Sequence, residues 1–147
     1  GQVSFPGGRH EPPETLEMTA LRETHEEIGV PPGDVALLGS LTPLFVVPSN
    51  FEVHPFVGRY VRDGRPVFVP DTREVAAILE APLHLLLDPA TRVEELMELR
   101  GGLRLCVPCF RVGEQRVWGA TAMILSEFLQ RLNYVKLIRE HGLRVVD

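Results

Sequence analysis

Apolar and polar residues alternate along this chain in two rhythms, and the rhythm changes mark its elements. Residues 14–28 carry Leu16, Ala20, Leu21, Thr24 and Ile28 at helical spacing, with charged residues between them. This predicts a helix from about Glu14 to Ile28, entered through Pro12-Pro13 and closed by Gly29 and Pro31-Pro32. Before it, QVSF reads as the end of a strand, turned by Pro6-Gly7-Gly8. After it, VALLGSL, PLFVV and FEVHPFVGRYV have the short apolar runs of strands, with a turn at Pro48-Ser49-Asn50. Asp63-Gly64 in VRDGRPVFV predicts a hairpin. EVAAILEAPLHLLLD starts as a strand and becomes a loop or short helix near Pro82, and residues 90–99 have helical spacing. GGLRLCVPCFRV and QRVWG predict a hairpin about Gly113-Glu114. GATAMILSEFLQRL predicts a second helix whose apolar side is Ala122, Ile124, Leu125, Phe128, Leu129 and Leu132. The amphipathic tail from Asn133 has no assigned place. This mixture predicts an α/β (α+β) fold: a sandwich with a mixed sheet between helices.

At 147 residues the chain is long enough for one domain with its own core, so 1–147 is expected to be a single domain. Its composition, 44% hydrophobic and 24% charged, is that of a globular protein. The net charge of −5 and the lack of a basic run argue against nucleic-acid binding. No apolar stretch approaches the ~20 residues that span a bilayer, and no leader peptide is visible, so the expected location is the cytoplasm, with organelle targeting left open. The chain opens GQVSFPGG with no initiator Met, as if inside a strand, so one or more strands are expected upstream. Cys106 and Cys109 form one C-x-x-C, without the second pair or histidines that a zinc site needs. They read as two buried or half-buried thiols on opposite faces of a strand.

The chemistry concentrates between Gly8 and Val30. At 100° per residue, Glu23, Glu26 and Glu27 fall within about 100° of one another on one side of the first helix. Like charges so close repel. A divalent cation reverses the sign of that interaction, and carboxylate oxygens suit Mg²⁺ or Mn²⁺. Arg22 lies among these acids and is read as structural rather than substrate-binding, a guanidinium that holds one carboxylate in a fixed rotamer by bidentate bonds. Glu14 falls on the opposite side of the helix from Glu23 and is read as a brace for the loop.

Gly8, Glu14, Arg22, Glu23, Glu26, Glu27 and Gly29 together resemble the Nudix box, G-x5-E-x7-R-E-U-x-E-E-x-G-U, at every fixed position. Val30 fits the last apolar position, and Thr24 stands where an aliphatic residue is usual. The resemblance implies a Nudix-type α/β/α sandwich that hydrolyses nucleoside diphosphates linked to a second group. It implies Glu23 and Glu27 as the main metal ligands, Glu26 as a further ligand and the carbonyl of Gly7 completing the shell. It leaves the general base to a box glutamate or to a carboxylate on another loop, for which Glu74, placed at the start of a strand, is the candidate, with a solvated turn residue as its other reading. GQVSFPGG, FEVHPFVG and VWGATA are similar to segments of the coenzyme A pyrophosphatase subfamily, whose signature begins further upstream. That likeness implies cleavage of coenzyme A or its derivatives to 4′-phosphopantetheine and 3′,5′-ADP. ADP-ribose or a nicotinamide dinucleotide is the alternative substrate, and a non-catalytic nucleotide sensor the alternative of another class. His54 is either a substrate contact or a hydrogen-bonded structural residue, and Trp118 is read as core. The expected partner is a small nucleoside diphosphate derivative, with open strand edges that would allow a homodimer.

Overall fold

The computed structural model describes residues 2–98 and 101–140, with the side chain of Ile138 outside the description. Contacts divide the chain into two compact units, Val3–Glu80 and Ala81–Asp147, the latter joined by Gln2.

In the first unit, α1 (Leu16–Ile28) begins two residues later than its apolar spacing predicts. Thr15 is the reason. Its backbone is extended and its hydroxyl accepts the Met18 N–H at 3.3 Å, which is the geometry of an N-cap. The helix ends at Gly29, whose φ of 76° permits its N–H to return to the His25 carbonyl at 2.9 Å. Thr19 is the buried residue of this helix, while Ala20, Leu21, Thr24 and Ile28 are half-buried and Leu16 is exposed. Thr24 satisfies its hydroxyl on the Ala20 carbonyl at 2.7 Å, so a polar side chain fits the apolar stripe.

A 3-10 turn, Pro32–Asp34, leads into β1 (Val35–Ser40). β2 (Leu44–Val46) and β3 (Phe51–Val53) form a hairpin over the predicted turn, and β4 (Phe56–Tyr60) pairs antiparallel with β1. The β1–β4 register shifts between Leu37 and Gly39, leaving Leu38 outside the ladder.

Three expectations fail in this unit. QVSF lies in no strand among the described residues. No hairpin forms at Asp63-Gly64, because the segment that would supply its second strand pairs with the end of α1 instead. The Val69 N–H donates to the Ile28 carbonyl at 3.0 Å and the Asp71 N–H to the Glu27 carbonyl at 2.9 Å. These are helix-terminal acceptors that need partners. Residues 74–80 are not a strand either, since the amides of Glu74 and Val75 both return to the Asp71 carbonyl in a turn.

The second unit holds α2 (Leu83–Leu86), β5 (Arg92–Glu98), β6 (Arg104–Val112), β7 (Gln115–Val117) and α3 (Gly119–Glu140). The helix expected over residues 90–99 is a strand over its described part. It pairs with β6 along its whole length, from Arg92↔Phe110 to Glu98↔Arg104. Val93, Leu96 and Met97 suit a helical stripe, but the neighbouring strand decides: burial alternates, with Val93, Glu95 and Met97 half-buried and their neighbours exposed. The β6–β7 hairpin forms where expected. α3 continues through Asn133 to Glu140, which gives the tail a structure as far as the description reaches. Ala122, Leu125 and Leu129 are buried with Cys109, Phe110 and Val117, and Ile124, Phe128 and Leu132 are half-buried. Cys109 and Cys106 do face opposite ways, but Cys106 is exposed rather than half-buried. Trp118 is half-buried beneath the Arg116 guanidinium, 5.9 Å from the ring centroid. The chain thus has the expected α+β class, and its described strand pairings are antiparallel. Among the described residues no helix is long and apolar enough to cross a membrane.

Candidate active site

The N-terminal loop, α1 and the turn at residues 71–74 meet around a cavity of about 480 Å³. Gly7, Gly8, Glu11, Arg22, Glu23, Glu26, Asp71, Arg73 and Glu74 line it. Arg22 organises one wall. Its Nε and Nη2 donate to the two carboxylate oxygens of Glu14 at 3.1 and 2.9 Å. Its Nη1 donates to Glu23 at 2.7 Å and to Glu26 at 3.1 Å, and Nη2 also reaches the Arg9 carbonyl at 3.1 Å. One guanidinium therefore bonds three carboxylates and ties the loop to the helix.

Glu14 is not on the far side of α1 from Glu23, as helical geometry through residue 14 predicts. It precedes the helix, so its side chain turns back to share Arg22 with Glu23. It also accepts the Glu11 N–H at 3.1 Å and the Thr19 hydroxyl at 2.9 Å. Arg22 above all, then Thr19 and the Glu11 amide, lower its pKa from 4.5 to about 2, against the opposing effect of burial. Glu14 first, and then Glu23, hold the Arg22 pKa above its ordinary value.

Glu27 is not among the residues that line the cavity. Its carboxylate accepts the Gly7 N–H at 3.1 Å. What the structure displays of Gly7 toward the box is thus its amide. Burial pushes the Glu27 pKa up, the Gly7 N–H opposes this, and the charges of Glu23 and Glu74 add to the rise. Gly8 passes so close to Glu23 that a Cβ there would fall inside its carboxylate.

Glu74 is exposed on the turn rather than on a strand. The bonds from Val69 and Asp71 to the end of α1 carry this turn to the cavity. His54 sits in the break between β3 and β4, 3.2 Å from Glu52, and does not line the cavity. Asp71 and Arg73 escaped the sequence reading. Asp71-Thr72-Arg73-Glu74 carries three charged residues in four, and that local charge density is the signal they leave in the sequence. Arg73 grips Asp71 through Nε at 3.0 and 3.2 Å and through Nη2 at 2.6 Å, and this contact lowers the Asp71 pKa from 3.8 to about 2.

The donor chemistry fits a hard divalent cation: the acids offer oxygen alone, and Glu23, Glu26 and Glu27 each have one carboxylate oxygen without a hydrogen bond among the described residues. They are not drawn into a single shell, since no group of three or more His, Cys, Asp or Glu has that arrangement among the described residues. Arg22 and the Gly7 amide hydrogen-bond them instead.

Residues 1–96 match the family model described as NUDIX domain. A Nudix hydrolase NudL of Yersinia enterocolitica is 40% identical over 134 residues, which are 90% of this chain and 67% of that protein. Those of Yersinia pestis and Yersinia pseudotuberculosis are each 38% identical over 134 residues, covering 65% of their length. The chain spans about two thirds of the length of these relatives, all three described as uncharacterized.

Proposed function

Because the chain belongs to the Nudix family, we propose that it hydrolyses a diphosphate linkage, and that coenzyme A or one of its derivatives is the substrate. The observation that carries the first part is the Arg22 cluster. It holds Glu23 and Glu26 at the wall of a cavity that Asp71, Arg73 and Glu74 also line. The second part rests on GQVSFPGG, FEVHPFVG and VWGATA, which resemble coenzyme A pyrophosphatases.

Glu23, Glu27 and Glu26 would hold Mg²⁺ or Mn²⁺, with the carbonyl of Gly7 rather than the N–H that is bound to Glu27. When bound, such a cation neutralises phosphate oxygens and lowers the pKa of water. The chain's own residues do the rest. Arg22 fixes the rotamers of Glu23 and Glu26, and Glu14 fixes Arg22. The Gly7 N–H holds Glu27 and favours its ionised form against burial. Glu74 faces the same cavity on a turn anchored to α1, and its carboxylate takes the proton of the attacking water. A box glutamate is the other candidate for that proton.

Incubating the purified chain with Mg²⁺ and coenzyme A, ADP-ribose or a nicotinamide dinucleotide, with product analysis, tests this. The expected products are 4′-phosphopantetheine and 3′,5′-ADP. Preference for ADP-ribose would overturn the substrate, and no turnover of any diphosphate would overturn the activity in favour of a nucleotide-binding module.

A further inference from the structure

The cavity has two guanidinium groups, and they differ in what they have left to offer. A guanidinium carries five N–H donors. Arg22 directs all five to the protein: two to Glu14, one each to Glu23 and Glu26, and one to the Arg9 carbonyl. Its side chain is 26% exposed. Arg73 uses Nε–H and one Nη2–H on Asp71 and bonds to no other residue among those described. Three of its donors stay available, on a side chain 86% exposed that lines the cavity.

The Asp71 pair makes this arrangement specific. Asp71 also accepts the Arg73 backbone N–H at 3.0 Å, and its own N–H is bound to the Glu27 carbonyl at 2.9 Å. The carboxylate therefore holds one edge of the Arg73 fork on a turn that hangs from the end of α1. The opposite edge can meet an anion without breaking that pair. The other charged side chains lining the cavity, Arg22 apart, are acids: Glu11, Glu23, Glu26, Asp71 and Glu74. A diphosphate entering it meets repulsion from all five, and Arg22 has no donor left to offer.

We propose that Arg73 is a substrate-binding residue, whose unused N–H donors take a phosphate oxygen of the diphosphate, with Asp71 as the residue that positions it. This rests on the diphosphate-hydrolase reading above and adds the group that recognises the anion. A fork held at one edge gives direction as well as charge, so lysine replaces it only in part.

The test is the affinity of the full chain for inorganic pyrophosphate, measured by calorimetry with Mg²⁺ present, for the wild type, R73A and R73K. Melting curves confirm that each variant is folded. Losing a charge-assisted bond to phosphate is expected to weaken binding about 10- to 100-fold in R73A, with R73K between the two. With a hydrolysed diphosphate, KM is expected to rise by a similar factor while kcat changes less. Equal affinity of wild type and R73A for pyrophosphate, whether tight, weak or too weak to measure in both, overturns the assignment. Turnover by the wild type with that equality leaves the diphosphate-hydrolase reading standing and removes only Arg73. No turnover of any diphosphate by the wild type removes the broader reading.

Discussion

A methyl group at position 8 would overlap the Glu23 carboxylate, and the overlap involves the movable end of a side chain rather than backbone. Gly8→Ala is therefore expected to leave folding nearly intact while displacing Glu23. A misplacement of about 1 Å costs roughly 100-fold in rate, so the variant should melt like the wild type and turn over about 100-fold more slowly. A matched loss of both stability and activity would contradict this. The acids around the site also set a pH limit on stability. Glu14 and Asp71 have pKa values lowered from 4.5 and 3.8 to about 2 in the fold. Folded groups that release protons more readily than unfolded ones stabilise above their unfolded values. That contribution is complete above about pH 5 and drains away as pH falls toward 2. Replacing Glu14 with Gln should flatten the melting temperature between pH 5 and 2, followed by circular dichroism. At this scale the sequence was informative where residues share one helix. Arg22, Glu23 and Glu26 meet because of spacing alone. Helical spacing misplaces Glu14, since the cap at Thr15 sets it off the helix. Asp71 and Arg73 lie far along the chain, and no local pattern states that they fold back to Glu27.

That return is a property of the element, and Gly29 governs it. Its positive φ closes α1, and a Cβ there would come within 2.7 Å of the Val69 Cβ and 2.9 Å of the Val69 backbone N and O. Val69 is the residue that binds the helix end at Ile28. Gly29→Ala thus combines a left-handed backbone, costing about 1–2 kcal/mol, with a backbone collision. We expect a total loss above about 2 kcal/mol by denaturant unfolding, and loss of activity as the 71–74 turn moves. A loss below about 1 kcal/mol would mean that the segment from Val69 to Glu74 is not packed against α1. The same contact explains the missing hairpin at Asp63-Gly64. Turn chemistry proposed a second strand, but the amides it required were committed to helix carbonyls. Residues 92–98 failed for a parallel reason: their spacing suits a helix, and the full-length β6 partner makes them a strand.

For the whole molecule, length alone suggests one domain, and we keep that as a proposal. The family match runs across the boundary between the two compact units. The acid-rich cavity and a net charge of −5 make an anionic substrate dependent on cations, whether arginine or metal. Composition expressed that need, and the box residues indicated where it is met. We propose that these glutamates bind a divalent cation that hydrolysis requires. The most direct measurement is Mn²⁺ binding by electron paramagnetic resonance for the wild type and Glu27→Gln, paired with diphosphate turnover at each Mn²⁺ concentration. Turnover should rise with bound Mn²⁺, and Glu27→Gln should weaken binding by at least about 10-fold, with a loss of turnover. Equal Mn²⁺ binding by the two proteins, or turnover indifferent to the metal, would contradict it.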